Sequence, residues 1–122
     1  MEMNRRSLLA GAAAVAAPLS RARAQATTLR LGVLTDMSGP YRDTTGPGSV
    51  VLTQAAASEF GNRGFNVEVL SADHQNKPDV GANIARQWYD QGVDVILDVP
   101  TSSVALAVNQ IAREKNKVFL NS

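Results

Sequence analysis

Four short runs of apolar and alternating residues are separated by three longer segments of helical period, and this alternation leaves few architectures open. The runs are residues 29–35, 65–71, 93–98 and 118–120. Between them a first helix begins near Pro47 or Ser49 and runs to about Phe60, stopping at Gly61 and Asn62. A second helix opens at Pro78, whose missing N–H suits the first helical position. It carries Val80, Ile84 and Trp88 on one face and stops at Gly92. A third places Val104, Val108 and Ile111 along a buried stripe and ends near Lys115 and Asn116. Each strand–helix–strand step is long enough for a right-handed crossover. The expected fold is therefore α/β, three layers, a parallel sheet with helices on both faces.

Ahead of the first strand, residues 1–24 read as a secretory signal. Arg5 and Arg6 precede an apolar run of about ten residues, Leu8 to Ala17, and Ala22-Arg23-Ala24 is the small-x-small pattern that a signal peptidase accepts. The run is too short for a bilayer core of about 30 Å, which takes about 20 residues. The paired arginines in Asn4-Arg5-Arg6-Ser7-Leu8-Leu9 resemble a twin-arginine export motif. Cleavage after Ala24 and a periplasmic location are the corresponding expectations. A lipoprotein needs a cysteine to acylate, and the chain has none.

Of the 12 Lys and Arg and 11 Asp and Glu, four Arg and one Glu lie within residues 1–24. Residues 25–122 thus hold 8 basic and 10 acidic side chains, a net of −2. Arg30, Arg63, Arg86 and Lys115 are scattered, so no concentrated basic face is available for nucleic acid or an anionic membrane. The lack of cysteine removes disulfides, zinc-thiolate sites and thiol catalysis. Residues 25–122 amount to one domain at most. The chain stops at Ser122 just after the fourth strand, with no helix to cover that edge, so an incomplete domain is expected.

In an open parallel sheet, ligands bind beyond the C-terminal ends of the strands. Asp36 to Thr45, Asp73 to Asn76, Asp98 to Ser103, and Asn121 with Ser122 converge there. Pro100-Thr101-Ser102-Ser103 is the sharpest segment. The proline keeps Val99 extended, and Thr101 or Ser102 is placed to cap the third helix with its hydroxyl. Ser102 and Ser103 then lie where free N–H groups and the helix dipole favour an anion, and a carboxylate gains two or three hydrogen bonds. Capping alone explains the same residues, and both readings stand. Tyr41 either covers an apolar ligand group or packs under its own loop.

Other chemistries find less support. Asp36, Asp73 and Asp98 each follow a strand, as in a magnesium site, but aspartate also commonly terminates strands, and no lysine ends the fourth strand. Gly46-Pro47-Gly48 lacks the third glycine of a dinucleotide motif. A Ser-His-Asp triad has only His74 to use, and His74 sits in the polar connection Asp73-His74-Gln75-Asn76-Lys77, where a solvated side chain is expected. No catalytic residue, metal site or cofactor is assigned.

Five segments together resemble periplasmic substrate-binding proteins of the branched-chain amino-acid type. They are residues 31–41 (LGVLTDMSGPY), 72–78 (ADHQNKP), 92–97 (GVDVIL), 100–108 (PTSSVALAV) and 117–122 (KVFLNS). The resemblance implies two α/β lobes joined by a hinge, with residues 25–122 forming an incomplete N-terminal lobe of the type I fold. It implies a monomer when complete, which clamps an amino acid or related small acid or amide in the cleft and delivers it to an ABC permease. No nucleic acid, cofactor or chemical turnover is implied. Ser102 matches a family serine that holds the ligand carboxylate, with Thr101 and Ser103 beside it and Ser122 at the same edge. Tyr41 falls in the loop that covers the ligand, although amino-acid binders carry the aromatic nearer Thr44. A disulfide of some amino-acid binders would map near Asn76 and Thr101, and its absence points toward other small acids, aromatic carboxylates or amides included. A sensor domain of the same fold, or an exported α/β enzyme, is the alternative.

Overall fold

The computed structural model describes residues 26–61 and 63–121. The signal at residues 1–24, the helix stop at Asn62 and the site role of Ser122 lie outside the described residues. The element order is β1 (Thr27–Thr35), α1 (Gly46–Phe60), β2 (Phe65–Asp73), α2 (Pro78–Asp90), β3 (Val95–Leu97), α3 (Ser102–Glu114) and β4 (Val118–Leu120). All strand pairs are parallel, in the order β2-β1-β3-β4. Among the described residues no helix is long and apolar enough to cross a membrane.

The third strand is shorter than residues 93–98 at both ends: Val93 N–H donates to Trp88 O at the end of α2, at 2.9 Å, and the last residue leaves the extended conformation. Asp98 turns at φ 56°, and its N–H donates to Leu120 O at 3.3 Å. Pro78 does open α2. The buried residues of that helix are Gly81, Ala85, Trp88 and Tyr89, a stripe turned slightly from the expected Val80, Ile84 and Trp88.

The core lies between the sheet and the α2–α3 layer. Leu34 and Ile96 from the strands meet Ala85, Trp88 and Tyr89 from α2 and Val104, Val108 and Ile111 from α3. Gly32, in the middle of β1, makes room for the indole. A Cβ there would stand 2.5 Å from Trp88 Cε3 and 2.6 Å from Cζ3. Gly32→Val is therefore expected to cost about 1–3 kcal/mol by overpacking against a rigid ring, read as a lower urea midpoint.

Among the described residues the opposite face is covered by α1 alone, which packs on β1 and β2. Gly46 is its only buried residue, and Leu52 is 72% exposed. Between α1 and the strands runs an apolar groove of about 500 Å³, lined by Leu31, Leu52, Ala56, Phe60, Phe65 and Val67 among others. The expected helices on both faces are present, but they cover the two faces unequally.

Candidate functional site

The strand order reverses direction between β1 and β3, so the loops leaving their C-terminal ends diverge to opposite faces of the sheet. Such a switch point is where open α/β sheets hold ligands. The β1–α1 loop, residues 36–45, and the β3–α3 loop, residues 98–101, flank it here.

Hydrogen bonds from strand ends give the first loop its shape. Asp36 is fully buried and accepts the N–H groups of Gly39 at 2.7 Å and Tyr41 at 3.0 Å. Asp73, at the end of β2, accepts from the N–H of Met37 at 3.0 Å and of Gln75 at 2.8 Å. Burial would raise the Asp73 carboxyl, but the hydrogen bonds from the Ser38 side chain and from Met37 and Gln75, with the His74 ring beside it, hold it below its ordinary value. Asp36 and Asp73 thus hold backbone N–H groups at the ends of their strands. Tyr41, 42% exposed, rides on the loop they hold.

The α3 opening differs from its expected form in one respect. Thr101 is the N-cap, with φ −88° and ψ 118°, but its hydroxyl makes no capping bond. The side-chain oxygen is instead buried without a hydrogen-bond partner, while the carbonyl accepts from Ala105 N–H at 2.8 Å. Ser102 and Ser103 are exposed in the first turn. The first-turn N–H groups are consequently left without a side-chain cap and point beyond the helix, where an acceptor is favoured. Asn121 supports this loop from just past β4, its Oδ1 accepting from Val99 N–H at 3.0 Å.

His74 is the residue that the sequence places wrongly. It is fully buried, not solvated. Its N–H donates to Thr35 O at 3.0 Å, which extends the sheet ladder by one step, and its Nδ1 accepts from Asn76 N–H at 3.0 Å. The tight turn that follows, with Gln75 at φ 54° and Asn76 at φ 55°, puts the polar residues outside and the imidazole inside. Burial lowers its pKa, although Asp36, Asp73 and Asp98 favour the charged ring. Among the described residues four non-glycine residues hold a positive φ, and Gln75, Asn76 and Asp98 all lie in loops at this edge. Such strain persists where surrounding bonds over-determine the backbone, as they do here.

The sheet topology, the switch-point loops and the uncapped helix opening define an α/β lobe with one candidate ligand edge. The chain belongs to the periplasmic binding protein family, whose pattern it matches over residues 28–122. Among solved structures it is similar to a periplasmic binding protein from Burkholderia mallei, 41% identical with a TM-score of 0.72, covering 77% of this chain and 26% of that one. It is also similar to a branched-chain amino acid ABC transporter periplasmic ligand-binding protein from Burkholderia xenovorans, 47% identical with a TM-score of 0.70, covering 75% and 25%. A solute-binding protein from R. palustris in complex with benzoate shares the fold, at 23% identity and a TM-score of 0.65, covering 77% and 27%. The chain thus spans about a quarter of the length of these proteins. No curated protein matches it.

Proposed function

We propose that this chain forms the ligand-contacting part of the first lobe of a periplasmic solute-binding protein that serves an ABC permease. The solute is a small carboxylate: an amino acid, a related organic acid or amide, or an aromatic acid. Its carboxylate sits against the first-turn N–H groups of α3, with the hydroxyls of Ser102 and Ser103 beside it, Thr101 at the N-cap and Tyr41 above. Ser122, next in sequence after Asn121, is the remaining contact of this proposal. The function is capture and release, with no bond made or broken, and differential affinity for the closed form drives lobe closure. Residues 1–24 export the chain and are removed after Ala24.

The observation that carries this reading is the α3 opening, which stands at the switch point with its N-cap hydroxyl buried and unpartnered. The relatives add support, since one is described as a branched-chain amino acid ABC transporter protein and one holds benzoate. One side of a cleft forms few contacts, so the chain alone is expected to bind only weakly. The test compares benzoate and leucine binding by the wild type, Ser102→Ala and Ser102→Tyr. Loss of one hydrogen bond, about 1–1.5 kcal/mol, lowers affinity about tenfold in the alanine variant. The tyrosine variant blocks the first turn and is expected to abolish binding. Unchanged affinity in Ser102→Tyr rules the site out.

A further inference from the structure

His74 is the chain's only histidine, and solute capture as described gives it no task. Its surroundings come from every part of the edge. Asp36 faces it from the end of β1, Asp73 from the end of β2 and Asp98 from just past β3. α2 and α3 approach it through small and apolar groups: the space left by the missing side chain of Gly81 is bordered by Val104 Cγ1 and by His74 Cβ. Because Nδ1 accepts from Asn76 N–H, the proton of the neutral ring is on Nε2. There it is buried and has no partner among the described residues.

We propose that His74 couples proton binding to the shape of the ligand site: the neutral ring holds the β2–α2 turn closed beneath the opening of α3, and protonation releases both. The second half rests on reading the α3 opening as the ligand site. A proton added at Nδ1 turns an acceptor into a donor facing Asn76 N–H, and that hydrogen bond is lost. Gln75 and Asn76, both at positive φ, then lose a bond that holds their strained backbone. The buried imidazolium also draws on carboxylates that are already committed. Asp36 holds Gly39 and Tyr41, and Asp73 holds Met37 and Gln75. Any movement of Asp36 toward the ring loosens the loop that carries Tyr41. One proton is thereby felt in all three loops of the site.

The sign follows from the burial of the ring. The folded protein favours neutral His74, so the contribution is complete above the ordinary value of about 6.5 and is lost as pH falls through the lowered value. Solute is held at neutral pH and given up in acid.

With a single histidine, the imidazole nitrogen resonances of the full chain identify themselves. We expect the Nε2–H tautomer at about pH 8 and one midpoint below the ordinary histidine value. The amide signals of Asn76, Thr101 and Ser102 should shift with that same midpoint, and in His74→Gln they should stay still across the range. An Nδ1–H tautomer, a midpoint at or above the ordinary value, or an imidazole that titrates while Thr101 and Ser102 do not move would each overturn the proposal. Loss of the Leu34 and Ile96 signals over the same range overturns it too, because the change is then global. The readout needs no solute. Co-titration in the wild type together with unchanged solute affinity in Ser102→Tyr therefore upholds the coupling and contradicts the solute-binding reading instead.

Discussion

Asp36→Ala is expected to cost about 3 kcal/mol and to leave the β1–α1 loop without a fixed shape. The carboxylate is fully buried and holds two backbone N–H groups, at 2.7 and 3.0 Å. Hydrogen bonds to a charged group contribute about 1.5–3 kcal/mol each, and alanine offers nothing to replace them. Part of that loss is recovered because a carboxylate no longer has to be stripped of water. Asp36→Asn keeps one acceptor oxygen and should restore about half of the difference. Two measurements check this together: the urea midpoint of each variant, and hydrogen exchange at Gly39 and Tyr41. Exchange at those two amides should rise in Asp36→Ala by more than the global loss of stability accounts for. Equal changes throughout the chain would mean that Asp36 supports the core and not the loop.

Ile96→Ala is expected to have the larger effect, about 4 kcal/mol, within the range of about 2–5 that buried isoleucine sites show. Ile96 is fully buried at the centre of the shortest inner strand, paired with Gly32 of β1 and Phe119 of β4. Its loss leaves a cavity that two neighbouring backbones prevent from collapsing. A domain of this size holds only about 5–15 kcal/mol in total, so the variant will be close to unfolding. Leu52→Ala is the matching control on α1. That side chain is 72% exposed, and its removal should change stability by no more than about 0.5 kcal/mol. Comparable losses at the two positions would contradict a core confined to the α2–α3 side.

The same asymmetry shows what the sequence made legible. Pro78 and Gly92 mark the ends of α2 because each has one backbone property that a helix end requires. Parallel pairing follows from crossover length, whereas the order β2-β1-β3-β4 was not legible. Coverage of the α1 face was not legible. Val50, Val51, Leu52 and three consecutive alanines, Ala55 to Ala57, make α1 apolar almost all round, so no stripe shows how little of it the sheet buries. At the site, the Pro100 to Ser103 turn was readable as a helix opening. The fate of the Thr101 hydroxyl was not, because a rotamer decides whether it caps the helix or points into the interior. His74 was misread for a related reason. Its polar neighbours Gln75, Asn76 and Lys77 argue for solvent, and only the left-handed turn at Gln75 and Asn76 separates them from the ring. Gly81, a glycine inside an otherwise regular helix, was the available sign that something packs close against α2 at that point.

The most direct measurement is a map of amide chemical shifts on the chain as benzoate, and separately leucine, is added up to millimolar concentration. The account predicts that the largest changes fall at Thr101, Ser102 and Ser103, with smaller ones along the loop that carries Tyr41. Shifts gathered instead around Leu52, Ala56 and Phe60 would place the solute in the apolar groove under α1, and the carboxylate site at the α3 opening would be wrong.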